Sequence, residues 1–247
     1  MLVLEYLSQD ADEGLANLVE NTETLRCLQI SYSPISGKFI NAPHNIKDLQ
    51  LKDCRELCPE FYNFFRKNID FDRLDISINS HCDLNLNFPN VKQLCLILNE
   101  QIFCFTEDFS KYAFLNAKHL VKLTIYSIRK KFAVDQSFVE TVFSICQNLE
   151  TLCIVGIHFS NPSNFTLQKN LSIRDFRAHL LQDVGEAVME KIAIALPNLL
   201  KVKYGGKHNF VPIFQTHCKY LKESKYLPVW HFFDRYLGLI PPKYEEF

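Results

Sequence analysis

A short hydrophobic pattern recurs along the chain, and its clearest copy is Leu149, Leu152 and Ile154. Successive side chains of a β-strand point to opposite faces, so Leu152 and Ile154 predict a strand that buries one face. Leu149 is expected to pack from the turn that leads into the strand. Eight copies share this frame, and their central residues, here called the anchors, are Leu28, Leu49, Leu74, Leu94, Leu123, Leu152, Phe176 and Val202.

The spacing of the anchors indicates a repeat protein. Successive anchors lie roughly 20 to 29 residues apart, which is the period of a leucine-rich repeat. A single strand of this kind cannot bury its apolar face alone, so the units must stack on one another. The pattern therefore predicts an α/β fold in which the repeats add neighbouring strands to one parallel sheet.

Two further motifs carry a resemblance to a known family. Cys146-Gln147-Asn148-Leu149 and Leu196-Pro197-Asn198-Leu199 resemble the helix-to-strand junctions of leucine-rich-repeat proteins. Leu49-x-Leu51-x-x-Cys54-x-x-Leu57 resembles the cysteine-containing repeat of F-box leucine-rich-repeat proteins. We expect Cys54 to face inward at a turn. The resemblance covers about residues 10–206 and implies a right-handed α/β horseshoe, a leucine-rich-repeat solenoid of about eight irregular repeats.

Helix signals separate several of the strands. Ser137-Phe138-Val139-Glu140 is a capping-box pattern, and Phe138, Val142 and Ile145 follow on one helical face. Another helix is predicted from about Asp183 to Pro197. We expect residues 1–206 to form the solenoid, beginning with helical pieces over residues 1–21. Residues 207–247 are expected to form a C-terminal helical cap and a frayed tail.

Composition narrows the class of protein. Of the 247 residues, 47% are hydrophobic, which is ample for a continuous core, and the net charge of −1 argues against nucleic-acid binding. The first residues do not resemble a signal peptide, and no apolar run is long enough to span a membrane. Nine cysteines then indicate free thiols in a reducing compartment, the cytoplasm or alternatively the nucleus.

The reactive side chains of the sequence form no recognised catalytic or metal-binding motif. The sequence contains neither a Gly-rich phosphate loop nor His-Glu-x-x-His nor Gly-x-Ser-x-Gly. Cys54 with Cys58, His81-Cys82 and His217-Cys218 lack the paired Cys-x-x-Cys spacing of zinc sites. We therefore expect no enzyme activity, no cofactor and no metal.

The residues that alternate with the anchors suggest a binding surface on the concave face. Its centre is expected to be apolar, with Tyr126 as an aromatic anchor, and its C-terminal end basic. The candidate partner-binding residues are Cys95, Ile97, Tyr126, Cys153, Val155, Arg177, His179, Lys201 and Lys203. Two readings stay open: a patch for a protein or peptide ligand, or ordinary strand residues with solvated charges at one end.

The resemblance implies a protein–protein interaction scaffold, the substrate-recognition part of an F-box-like ubiquitin-ligase receptor, with ligase components among its partners. An F-box needs about 40 residues of helices, and the stretch before the first anchor does not accommodate one. The alternatives are a stand-alone repeat adaptor unrelated to ubiquitin and an enzyme with an unrecognised site. An enzyme would need a deep pocket holding a perturbed histidine or cysteine.

Overall fold

The computed structural model describes these residues of the chain: 1–41, 45–64, 70–78, 88, 90–98, 113–114, 117–127, 132–134, 136–159, 166–180 and 184–226. The strands are β1 (Leu2–Glu5), β2 (Cys27–Ser31), β3 (Asp48–Lys52), β4 (Phe71–Ile78), β5 (Val91–Leu98), β6 (Lys122–Ser127), β7 (Phe132–Val134), β8 (Thr151–Phe159), β9 (Asp175–Leu180), β10 (Lys201–Gly205) and β11 (Glu223–Tyr226). The α-helices are α1 (Ala11–Asn21), α2 (Pro59–Phe64), α3 (Gln136–Ile145), α4 (Glu186–Ala195) and α5 (Val211–His217), with a 3-10 helix at Lys38–Asn41.

The strands form one parallel sheet whose order follows the chain. Strands β1 to β6 and β8 to β11 lie side by side in that order, and β7 pairs with β8 outside it. Every pairing between described strands is parallel. Parallel neighbours need a crossover connection, and helices such as α1, α3 and α4 lie within these connections. The protein is therefore an α/β protein with ten parallel strands in sequential order.

The register confirms the predicted strand frame. Each anchor is the Cα partner of the anchors on the neighbouring strands, so all eight form one continuous row from Leu28 to Val202. Leu152 lies between Leu123 and Phe176, as predicted, and is 1% exposed. Burying each such side chain contributes about 1.5–3 kcal/mol to stability. The row is therefore a major source of the fold's stability.

Helices cover the anchor face of the sheet and share its core. Helix α3 begins at Gln136, next to the predicted capping box, and α4 ends at Ala195, just before Pro197. The helical residues that belong to the same buried cluster as the anchors include Leu15, Val19, Phe138, Val142, Val188 and Ile192. Their spacing of four places each pair on one side of its helix.

A backbone carbonyl ties each repeat to the next at the start of the strand. The carbonyl of Val121 accepts hydrogen bonds from the N–H groups of Glu150 and Thr151, at 2.8 and 3.1 Å. In each such contact, the residue that supplies the carbonyl lies two positions before the anchor of its own strand. The carbonyls that accept two such bonds belong to Arg26, Lys47, Val121, Glu150, Arg174 and Leu200.

The asparagines of the junction motifs reinforce these backbone bonds. The amide of Asn148 donates to the carbonyl of Lys118, at 2.7 Å, and the amide of Asn198 donates to Leu171, at 2.9 Å. Both asparagines lie four residues before a strand anchor. The acceptor in each case belongs to the preceding repeat. The Asn-Leu pair is thus a connection between repeats as well as a turn signal.

A buried polar side chain closes the end of a helix at two places, two repeats apart. The Asn170 amide donates to the carbonyls of Phe143 and Cys146, which end α3, while its Oδ1 accepts from Ser172 and Ile173. The last carbonyls of a helix lack the usual N–H partner four residues on, and these bonds give them an additional donor. Two repeats later, the Cys218 thiol donates to the corresponding carbonyls at the end of α4, those of Ala193 and Leu196.

The sheet extends beyond the predicted repeats at both ends. Leu2–Glu5 is a strand rather than part of a helix, and Leu2 pairs in register with Leu28. The expected C-terminal cap contains the helix α5, but it continues into β11, which pairs in parallel with β10. The sequence pattern missed β11 because Ser224, a polar residue, occupies the anchor position. Residue 206 is thus not a break in the sheet, and 227–247 lie outside the described residues.

We expect Asn170→Ala to lower the free energy of unfolding by about 2 kcal/mol or more, because the N–H groups of Ser172 and Ile173 lose their acceptor and two helix-end carbonyls each lose one donor. Asn148→Ala is the matched control, since Asn148 makes one hydrogen bond at an exposed junction and its loss should cost about 1 kcal/mol or less. Urea unfolding of both variants measures the difference. Equal losses would show that Asn170 does not close the helix end as described.

Candidate functional site

The sheet face opposite the anchors carries three rows of side chains, here called the start, middle and end rows by their position along the strands. The register pairs them across neighbouring strands. The start row contains Arg73, Gln93, Lys122, Thr151, Asp175 and Lys201. The middle row contains Asp75, Cys95, Thr124, Cys153, Arg177 and Lys203. The end row contains Ser77, Ile97, Tyr126, Val155, His179 and Gly205.

The structure brings all nine candidate residues together on five adjacent strands, β5, β6, β8, β9 and β10. The middle row holds Cys95, Cys153, Arg177 and Lys203, whereas Lys201 lies in the start row. The end row holds the remaining four: Ile97, Tyr126, Val155 and His179. The rows are therefore contiguous, as strand alternation requires.

Exposure falls sharply from the start row to the end row. Gln93, Lys122 and Lys201 are exposed, whereas Tyr126 is 4% exposed and Val155 is fully buried. Ile97 and His179 are buried in the same way, and these residues lie on the sheet face away from the main core. The expected apolar patch is therefore present as a set of neighbours, but this structure does not offer it to a ligand.

Carboxylates pair with the arginine and lysine side chains at the C-terminal end of this face. The Arg177 guanidinium is paired with Asp175, two positions earlier on the same strand. The ammonium groups of Lys201 and Lys203 lie 3.7 and 3.4 Å from the Glu223 carboxylate. The sequence pattern missed Glu223 because β11 was not predicted. Burial lowers the pKa of His179, so this residue is neutral near pH 7.

A second ion pair lies on the same face, on β4. The Arg73 guanidinium donates two hydrogen bonds to Asp75, with nitrogen–oxygen distances of 3.1 and 2.7 Å. Asp75 is 3% exposed, so the pair compensates a carboxylate that would otherwise be costly to bury. Arg73 and Asp75 also line a cavity of about 70 Å³ with Cys95 and Tyr126. This volume is well below that of a small-molecule site.

A larger groove runs along the rim where the strands begin. Its main part has a volume of about 500 Å³, and a neighbouring part of about 400 Å³ shares Lys92 and His119 with it. The main part is lined by Lys92, Lys118, His119, Val121, Asn148, Glu150, Ser172 and Arg174. The sequence did not predict a groove or a binding site at these residues, because they precede the strands, where the pattern indicates only a turn. The lining of the two parts contains both cationic and anionic side chains, so it suits a polar segment with charges of both signs.

Gly156 redirects β8 immediately after Val155. Its φ is +71°, which favours glycine, and the pairing with β9 is irregular between Val155 and Ile157. A Cβ at this position would lie 2.5 Å from the carbonyl oxygen of Ser127 on β6. The backbones of two neighbouring strands therefore approach too closely for any residue other than glycine.

The buried thiols are poorly suited to nucleophilic chemistry. Burial raises the pKa values of Cys54 and Cys146 to about 12, and that of Cys153 to about 12 as well. The Cys54 thiol points inward, as predicted, and donates to the carbonyls of Ile30 and Lys52 at 3.7 Å. Burial also raises the pKa of Cys95 well above its usual value. These cysteines are therefore protonated at neutral pH.

The remaining candidate pairs do not converge on a site. His217 lies 3.2 Å from Glu190, while the adjacent Cys218 is buried in the junction described above. The pair His81-Cys82 lies outside the described residues. Within the described part of the chain, no three histidine, cysteine or acidic residues are grouped so as to hold a metal ion. None of the described helices is long and apolar enough to cross a membrane.

Comparison with protein-family models finds no match to this chain, and comparison with curated proteins finds no significant match either.

We expect a thiol reagent to distinguish Cys27 from Cys153 in the folded protein. Cys27 is partly exposed, whereas Cys153 is 5% exposed and, with a pKa of about 12, ionises in about one molecule in ten thousand at pH 8. A short iodoacetamide pulse followed by peptide mass spectrometry should therefore find Cys27 modified first. Equal rates for the two cysteines would show that Cys153 is accessible and that the middle row is open.

Proposed function

We propose that this chain is a leucine-rich-repeat solenoid that binds another protein through the sheet face opposite the anchors. The observation that carries the proposal is the continuous row of eight anchors, together with the same carbonyl contact at six junctions and an asparagine contact at two of them. Such stacking leaves the start row of the opposite sheet face at least partly exposed on the described strands. Repeat proteins use extended surfaces of this kind for recognition.

The inward thiol supports the finer resemblance to the repeats of F-box proteins. Cys54 occupies the cysteine position of that repeat, is fully buried, and donates to backbone carbonyls of two neighbouring strands. Cys218 makes the same kind of contact at a helix end. On this reading the chain is the substrate-recognition part of a ubiquitin-ligase receptor. A stand-alone adaptor with the same repeats is the second reading, which the partners distinguish.

The accessible part of the face favours an acidic partner segment. In the start and middle rows from β4 to β11, six cations face three carboxylates, Asp75, Asp175 and Glu223. The cations are Arg73, Lys122, Arg177, Lys201, Lys203 and Lys225. An excess of positive charge steers an acidic segment to the face and is screened by salt. The buried end row, including Tyr126, then supports the sheet from below the contact surface.

Affinity purification with mass spectrometry tests this proposal. A specific partner should be captured by the wild-type chain and lost with Lys122→Glu/Lys201→Glu, which reverses two exposed charges of the start row. The double variant Lys169→Glu/Lys207→Glu is the control, because it makes the same charge change at exposed positions outside the three rows. Ubiquitin-ligase subunits among the captured proteins would favour the receptor reading over the stand-alone adaptor.

With the captured partner purified, we expect the start-row variant to associate about tenfold or more slowly at low salt, and the difference to shrink as salt is raised. Stopped-flow or surface-plasmon measurements give the rates. The control variant should associate like the wild type. If both variants bind equally well, or if the control alone loses the partner, the working surface is not the sheet face.

A further inference from the structure

Three successive strands end in the same unusual backbone conformation. Tyr6, Tyr32 and Asp53 each lie four residues after an anchor position and have φ values of 55°, 52° and 53°. The Tyr6 N–H donates to the carbonyl of Ser31, at 3.1 Å, and the Tyr32 N–H donates to Lys52, at 2.9 Å. The conformation is therefore part of the repeat. Glycine, asparagine and aspartate adopt it readily, whereas a bulky side chain does so at a cost.

Packing in the core does not offset this conformational cost, because neither tyrosine ring is buried. Tyr6 is 74% exposed and Tyr32 is 40% exposed. Their rings stack on each other with centroids 5.5 Å apart and an angle of 16° between the planes. The result is a continuous aromatic surface at the edge of the sheet, where asparagine would satisfy the backbone equally well. Exposed aromatic clusters rimmed by polar groups are typical of binding sites.

Carboxylates surround this aromatic surface. Tyr32 lines a cleft of about 250 Å³ with Asp53 and Glu56. Glu5 is exposed, directly precedes Tyr6 and pairs with Ser31, the residue before Tyr32. Burial raises the pKa of Tyr32, and the neighbouring Tyr6, Asp53 and Glu5 raise it further. The Arg55 guanidinium in the cleft is bound to Asp53 through two hydrogen bonds, of 2.7 and 3.0 Å. Three carboxylates thus accompany one guanidinium, and the local charge is negative.

We propose that the Tyr6–Tyr32 stack is a docking site for a basic segment of a partner protein, which places an arginine side chain against the tyrosine rings beside Glu5 and Glu56. A guanidinium stacks on aromatic faces and forms charge-assisted hydrogen bonds with carboxylates. The local carboxylates disfavour nucleic acid, whose bases could stack here but whose phosphates would be repelled. They also disfavour a second copy, because two identical acidic edges repel each other.

Titration of the full chain with a short capped peptide, Gly-Arg-Gly-Arg-Gly, tests the proposal. The matched control is the same peptide with neutral citrulline in place of each arginine. The ring signals of ¹³C-labelled tyrosine report contact, and their assignment comes from Tyr6→Phe and Tyr32→Phe. We expect the arginine peptide to shift both signals with saturable binding. The citrulline peptide should bind roughly tenfold or more weakly, because it lacks the charge.

The double variant Tyr6→Asn/Tyr32→Asn removes both rings and keeps side chains that tolerate the observed φ. We expect it to retain the wild-type melting temperature and to bind the arginine peptide roughly tenfold or more weakly. Tyr220→Asn is the matched control, because Tyr220 is 52% exposed elsewhere on the chain and its loss should leave binding unchanged. Each Tyr→Phe variant should retain binding, since the aromatic face remains.

Several outcomes would overturn the proposal. One is the absence of saturable binding by the wild type, and another is equal binding of the arginine and citrulline peptides. A self-association in sedimentation velocity that the double asparagine variant abolishes would assign the stack to a second copy instead. Preferential binding of a short oligouridylate would assign it to nucleic acid. The start-row variant Lys122→Glu/Lys201→Glu should bind the peptide normally, so this site and the proposed sheet-face function succeed or fail separately.

Discussion

Register between neighbouring strands is the constraint on which the structure depends, and backbone carbonyls set it at the junctions. The carbonyl two positions before an anchor, as at Glu150, accepts two N–H groups from the start of the next repeat. Side chains alternate along a strand, so a slip by one residue would exchange the two faces of the sheet. The same bonds therefore decide which residues enter the core and which remain on the opposite face.

The core could be predicted from the sequence because one periodic signal specifies it. A leucine at the anchor position, such as Leu123 or Leu152, packs against an apolar anchor on each side, and the pattern repeats through the chain. The signal fails where the register continues without an apolar anchor. Ser224 takes the anchor position in β11, so backbone pairing alone reveals that strand. Cys54 was predicted to face inward, but its two carbonyl acceptors depend on the neighbouring strands.

The candidate surface could be predicted only as a set of neighbours. Alternation alone places Ile97, Tyr126 and Val155 in one row. Their burial depends on how the sheet and its surroundings enclose the ends of the strands, which no local pattern encodes. Charge pairing also depends on parts of the chain that are distant in sequence. The sequence predicts Lys203 as part of a basic end, but its carboxylate partner, Glu223, belongs to a strand that the pattern missed. The positive φ values of Tyr6 and Tyr32 could not be predicted from the sequence, because the identity of a residue does not determine its φ.

Strict nearest-neighbour order has a mechanical consequence. Strands β1 and β11 lie at opposite edges of the sheet, and the strands between them follow one another in chain order. A pulling force applied between these edges acts across the inter-strand hydrogen bonds and loads the repeats in series. Every junction then carries the same force and the weakest gives way first, so repeats separate one by one rather than all together. Such a protein extends stepwise at low force, and each step releases the length of about one repeat.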